Sequence, residues 1–185
     1  LVAEKHYGST VIGQDVLPNS RTLYPIASIT KVLTGIMFLQ LVERGAAHLT
    51  DRVETHVPEF ADIPNPYPWS PGVTLMQLAT MTSGIDADDS YPAAPTGNAL
   101  PWGDDLPGTW DERAAAHMKH HRFRFEPGTR RAYSNSGYSI LGLALSRAAG
   151  RDYADYVERE ILRPLGMTDT AFAISEATAT RFAYG

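Results

Sequence analysis

The sequence predicts an α+β chain that is mostly helical, with a short extended portion ahead of the first long helix. Three observations carry this. Apolar residues recur at helical spacing through 29–42, 136–150 and the segment after Asp152. Residues 2–12 place Val2, Tyr7, Val11 and Ile12 around Gly8 and Gly13, the pattern of one or two short strands with a turn. Prolines and glycines divide the remainder into short pieces.

Taken in order, residues 2–12 and 21–25 read as extended, and Pro25 ends that stretch before a helix that starts near Ser28. From Ile29 to Val42 the apolar positions are 29, 32, 33, 36, 37, 38, 39, 41 and 42. They cover nearly the whole circumference, so this helix is expected to be buried on most sides, with Gly45 as its stop. Five prolines at 58, 64, 66, 68 and 71 exclude regular structure from 58–72. Val73 to Met81 is a short helix and Thr82-Ser83-Gly84 a turn. Residues 86–109, rich in Asp, Pro and Gly, read as a second long loop, with Asp86, Asp88 and Asp89 solvating it. A helix follows over Thr109–His121, capped by Thr109 or Asp111. The next begins at Ser136 or Gly137, shows one apolar face at 140, 141, 144, 145 and 148, and stops at Gly150. Asp152 caps a last helix lined by Tyr153, Tyr156, Val157 and Ile161, and Pro164 ends it.

Composition removes several function classes. Hydrophobic residues make up 43% and charged residues 20% of 185, an ordinary globular balance sufficient for one sizeable core. No apolar run approaches the roughly 18 residues of a membrane span. The net charge of -5 argues against nucleic acid as a main partner. With no cysteine, disulfides, thiolate metal sites and a cysteine nucleophile are excluded. There is no Gly-x-Ser-x-Gly elbow and no phosphate-cradling glycine loop. His117, His120 and His121 have helical spacing that would suit a metal, but no carboxylate falls in step, and a solvated helix end is the better reading. The basic run Lys119, Arg122, Arg124, Arg130 and Arg131 reads as a solvated face, or as an attractor for a substrate carboxylate.

Two short motifs remain. Ser28-Ile-Thr-Lys31 puts a serine at the first turn of a helix and a lysine on the same face. The positive helix N-terminus favours the serine alkoxide, and a lysine free of its proton could take the serine's. Alone the pattern is weak: S-x-x-K arises by chance in roughly half of chains this long. A helix cap and a surface lysine explain it equally well. Tyr133-Ser134-Asn135 follows the turn Glu126-Pro127-Gly128-Thr129 and precedes a helix. Such a tyrosine can relay a proton if a neighbouring ammonium favours its phenolate. The plain alternative is a loop tyrosine with an asparagine cap.

The surroundings of these motifs resemble a known family. Tyr24-Pro25-Ile26-Ala27-Ser28-Ile29-Thr30-Lys31, Leu41-Val42-Glu43-Arg44-Gly45, Leu49-Thr50-Asp51-Arg52-Val53, Thr82-Ser83-Gly84-Ile85, Tyr133-Ser134-Asn135-Ser136-Gly137-Tyr138 and Arg163-Pro164-Leu165-Gly166-Met167-Thr168-Asp169-Thr170 occur in the order found there. The chain resembles the serine β-lactamase and penicillin-binding-protein superfamily, in its class C and esterase-like branch.

The resemblance implies a β-lactamase/DD-peptidase-like fold. Residues 1–27 would be strands of the sheet region, 28–170 the nucleophile helix and helical region, and 171–185 the start of the return to the sheet. It implies a covalent acyl-enzyme with Ser28 as nucleophile, Lys31 as its base, Tyr133 as proton relay and Asn135 as anchor for substrate and lysine. The substrate would be a small ester, amide or β-lactam, and no metal or cofactor is needed.

Two departures are evident. Met81 stands where many relatives carry histidine. The third motif, a Lys-Thr-Gly or His-x-Gly tripeptide on a late strand, is absent after Gly137, and His6-Tyr7-Gly8 matches its letters only by coincidence. The chain begins at Leu1 and carries few strands. A fragment is therefore expected, completed by a C-terminal segment or a second chain, with a truncated or non-catalytic ligand-binding fold as the alternative.

Overall fold

The computed structural model describes residues 3–86 and 109–184, so the loop expected at 86–109, with Asp88 and Asp89, lies almost wholly outside the described residues. A 3-10 turn at Ala27–Ile29 leads into α1 (Thr30–Glu43). Then come α2 (Val53–His56), α3 (Leu75–Ala79), α4 (Trp110–His117) and α5 (Asn135–Ala149). Helix α6 (Tyr153–Val157) runs on through a π turn, Glu158–Leu162, and α7 (Glu176–Ala179) is short.

The caps explain most boundaries. Thr74 and Gln77 form a capping box on α3, as do Thr109 and Glu112 on α4, each satisfying N–H groups that the first turn leaves open. Asp152 accepts from Asp155 N–H at 3.1 Å and starts α6. Gly150 ends α5 at φ 60°, a left-handed position that glycine takes without strain. The proline-rich stretch holds one regular piece that was not expected, a 3-10 turn at Pro58–Asp62. Pro58 opens it, where no N–H partner is needed, and Phe60 anchors it in the core.

Helix α5 is the centre of the molecule, touching α1, α2, α3, α4 and α6. Every residue from Ile140 to Ser146 is buried, including Gly142, Leu143 and Ser146, which lie off the apolar face read from the sequence. Small residues let neighbours approach on all sides. A Cβ on Gly142 would meet the Trp110 ring at 3.5 Å and the Tyr153 ring at 3.7 Å. Helix α1 finds only part of the cover that its all-round apolar pattern calls for. It buries Leu33, Thr34, Met37, Phe38 and Leu41 on one side, while Ile29, Val32 and Leu39 are each about 60% exposed. Leu143→Ala is therefore expected to destabilise the chain as much as Leu141→Ala, by about 2–5 kcal/mol each. Urea unfolding measures this, and a cost for Leu143 below about 1 kcal/mol would contradict all-round burial of α5.

The expected strands at 2–12 and 21–25 do not form a ladder among the described residues. Only isolated bridges occur there, Val11 to Tyr184 and Leu23 to Phe182, and both are parallel. Gly8 and Gly13 sit at φ 79° and 78°, and Ser9 Oγ folds back onto the Val11 carbonyl at 2.9 Å. These turns use backbone groups that a strand would have paired. No described helix is long and apolar enough to cross a membrane.

Candidate active site

Ser28 lies in the 3-10 turn entering α1. Ala27 before it has φ 43°, a left-handed conformation unusual for a residue with a Cβ, which aims the turn outward. The serine side chain does not cap the helix. Neither the turn nor α1 receives a side-chain cap, and Ser28 Oγ instead shares a 2.7 Å hydrogen bond with Tyr133 Oη. Lys31, one turn on, donates from Nζ to Ser28 Oγ at 3.2 Å and to Asn135 Oδ1 at 2.7 Å. Among the described residues no carboxylate pairs with it. The four residues picked from the sequence thus meet, across about a hundred residues of intervening chain.

Ser134 makes this meeting possible. It caps α5, accepting from Gly137 N–H at 2.8 Å, and donates to the Asp86 carbonyl at 2.6 Å. The capping role expected of asparagine falls to Ser134, which leaves the Asn135 amide free to hold Lys31. The segment before it is strapped to the Thr82-Ser83-Gly84 turn. Gly128 N–H donates to the Thr82 carbonyl, Ala132 N–H to Met81 and Arg124 N–H to Gly84, each within 3.0 Å. Gly84 is at φ 82°, and a Cβ there would come within 2.1 Å of the Phe125 carbonyl oxygen, so only glycine fits. Met81 is itself left-handed at φ 60°, and its sulfur accepts from Arg131 at 3.8 Å.

Two tyrosines flank the lysine, and their surroundings push them apart. Lys31 Nζ lies 4.8 Å from the Tyr133 ring centre and 5.5 Å from that of Tyr138. Lys31 first, then Ser28, hold the Tyr133 phenol below its ordinary range. Burial holds Tyr138 above it, and its hydroxyl is committed to the Ala79 carbonyl at 2.8 Å. The Tyr133 hydroxyl thus faces the Ser28 side chain, whereas that of Tyr138 is held by a backbone carbonyl.

Other expectations fare differently. His121 is not part of a solvated helix end: it is 2% exposed, with Nδ1 3.2 Å from Asp86 Oδ1. Asp86, read as loop solvation, is buried against it. Burial also lowers His117 to about 4. The segment just after α4 pairs with the 81–86 turn, Ile85 bridging to Phe123 and Asp86 N–H donating to the Arg122 carbonyl at 3.0 Å, which a loop-and-helix reading cannot foresee. Among the described residues no cluster of His, Asp and Glu could hold a metal. The basic residues from Lys119 to Arg131 are exposed. The sequence reading missed a cavity of about 540 Å³ beside Ser28, walled by Thr34, Trp110, Tyr153 and Phe172. Its one sequence signal was a glycine, Gly142, inside a strongly apolar helix.

The fold has solved counterparts. A β-lactamase/D-alanine carboxypeptidase from Yersinia pestis, solved with citrate, matches with a TM-score of 0.79 and 31% identity, covering 97% of this chain and 49% of that one. A class C β-lactamase matches with a TM-score of 0.73 at 23% identity, over 97% of this chain and 44% of its own, a likeness of fold. The fold is thus that of the β-lactamases and DD-peptidases, seen here chiefly as its helical part. The Beta-lactamase family model matches residues 1–185, and the chain belongs to that family. Relatives include the D-alanyl-D-alanine-carboxypeptidase/endopeptidase AmpH of Escherichia coli K12, 32% identical over 92% of this chain and 42% of its own length. Protein flp of Staphylococcus aureus N315 is 33% identical over 91% of this chain and 32% of its own. The chain spans less than half the length of these curated relatives.

Proposed function

We propose that the protein is a serine hydrolase that forms a covalent acyl-enzyme on Ser28 from an ester or amide. The observation that carries this reading is the meeting of Ser28 Oγ, Lys31 Nζ, Tyr133 Oη and Asn135 Oδ1 through hydrogen bonds of 2.7, 3.2 and 2.7 Å. Lys31 takes the proton of Ser28 as its oxygen attacks the substrate carbonyl carbon. The Ser28 N–H, at the start of the helix, faces the developing oxyanion. Tyr133 passes a proton to the departing group as the tetrahedral intermediate collapses. It then accepts one from the water that attacks the acyl ester, and Lys31 returns the proton it took to Ser28 as that oxygen leaves. Asn135 holds Lys31 in line and offers its amide to the substrate.

Carboxylesterase, D-amino-acid peptidase or amidase, and β-lactamase are the activities within this chemistry. The name of AmpH supports the second, and that of the Yersinia pestis protein the second and the third. An antiparallel sheet, from a further segment or a second chain, would pack on Ile29, Val32 and Leu39 and bring a second oxyanion donor.

The test is acylation of the intact natural protein by a fluorophosphonate or a β-lactam, with the adduct mapped by peptide mass spectrometry. Ser28 is the expected site. Ser134 and Ser83 are buried and committed to backbone groups, so an adduct on either, with Ser28 untouched, overturns the assignment.

A further inference from the structure

We infer that the cavity beside Ser28 is the acyl-group pocket of this enzyme and that it selects an uncharged apolar acyl group, best an aryl one. The inference rests on the acyl-enzyme reading above and adds the substrate class. Ser28, Lys31 and Asn135 stand in the cavity wall, whereas Tyr133 does not. A substrate carbonyl held at Ser28 Oγ therefore has two different sides. Its leaving group lies toward Tyr133, the proton donor, and its acyl group extends into the cavity.

The wall is aromatic. Trp110 and Tyr153 lie tilted with ring centres 6.4 Å apart, and Phe172 stands edge-on to Tyr153 at 5.6 Å. An aryl group entering there meets ring faces and edges, the arrangement aromatic pairs favour. The polar atoms deepest in the wall satisfy one another, since the Thr34 and Tyr153 hydroxyls share a 2.8 Å hydrogen bond. Gly142 adds no side chain to the wall, where a Cβ would already touch the Trp110 and Tyr153 rings at 3.5 and 3.7 Å and a branched side chain would press between them.

Charge points the same way. Among the described residues of the wall, the charged groups are Lys31 and Asp152. Lys31 is engaged by Ser28 and Asn135, and Asp152 repels an anion. About 540 Å³ of largely apolar space with a few polar groups at one end has the size and character of a small-molecule site.

The experiment compares kcat/KM of the intact natural protein on p-nitrophenyl esters that differ only in the acyl group. The phenylacetate is expected to exceed the acetate about ten-fold or more, the scale on which apolar pockets discriminate. The neutral valerate is expected to exceed the isosteric anionic glutarate monoester by a similar factor. Phe172→Ala, which removes one aromatic wall, and Gly142→Val, which narrows the cavity, should each reduce the phenylacetate-to-acetate ratio about five-fold or more. Thermal melts report folding, and Phe172, already 43% exposed, carries the test if the Gly142 variant does not fold. Mass spectrometry of the acetyl-enzyme separates the two readings. An adduct on Ser28 with a flat acyl series, or with ratios unmoved by both variants, overturns the pocket alone. No adduct on Ser28 from any ester overturns both.

Discussion

Lys31→Ala is expected to lower ester turnover by about 10²–10⁴-fold, the usual contribution of a positioned general base, while leaving the fold in place. The lysine amine has two partners, Ser28 Oγ and Asn135 Oδ1, and both lie at the surface of the site rather than in the core. Its removal therefore leaves no buried charge behind and opens no hole among Leu33, Met37 and Leu41. The measurement is steady-state hydrolysis of a p-nitrophenyl ester beside a thermal melt of the same variant. Turnover within a few-fold of the parent would make Lys31 a structural lysine. A melt lowered by many degrees would make any loss of turnover a folding effect.

Tyr133→Phe is expected to cut kcat by about 10²-fold or more with little change in KM, because it deletes the proton carrier and keeps the ring over Lys31. A pH profile separates this from loss of packing. With Lys31 and Ser28 holding the phenol below its ordinary range, the phenolate forms at lower pH than in a free tyrosine. Tyr133 enters the reaction as the phenol that protonates the leaving group, so kcat/KM is expected to fall as pH rises through that lowered value. That falling limb is then absent from the phenylalanine variant. A variant with unchanged kcat and an unchanged limb would assign Tyr133 to packing. The parallel change Tyr138→Phe tests a hydroxyl that is held by a carbonyl, and no change in the pH limb is expected from it.

Local chemistry alone set much of this protein. Capping residues at 74, 109 and 152, the stop at Gly150 and the helical spacing of α1 and α5 act within one or two turns of chain, so short-range rules suffice for them. The two motifs were also legible, because S-x-x-K places both side chains on one helix face and Y-S-N precedes a helix start. What each residue within them does was decided elsewhere. Ser28 and Asn135 could each have been caps. The tertiary structure gives the capping of α5 to Ser134, whose hydroxyl reaches the Asp86 carbonyl, and so frees Asn135 for Lys31, while Ser28 leaves its helix uncapped and turns to Tyr133. Which helix is central was likewise not in the pattern. By periodicity α1 looks wrapped and α5 one-sided, yet burial depends on how many neighbours can approach. Gly142, Ala144 and Ser146 admit them to α5, while Ile29, Val32 and Leu39 face outward. The aromatic cavity follows from the same packing, for Trp110, Tyr153 and Phe172 come from three separated segments: Trp110 and Tyr153 meet beside Gly142, and Phe172 stands against Tyr153. The sequence by itself determined the longer helices and the candidate side chains. The tertiary structure decided which of those side chains remain free to react, because a hydroxyl or amide already spent on a backbone partner cannot also serve a substrate.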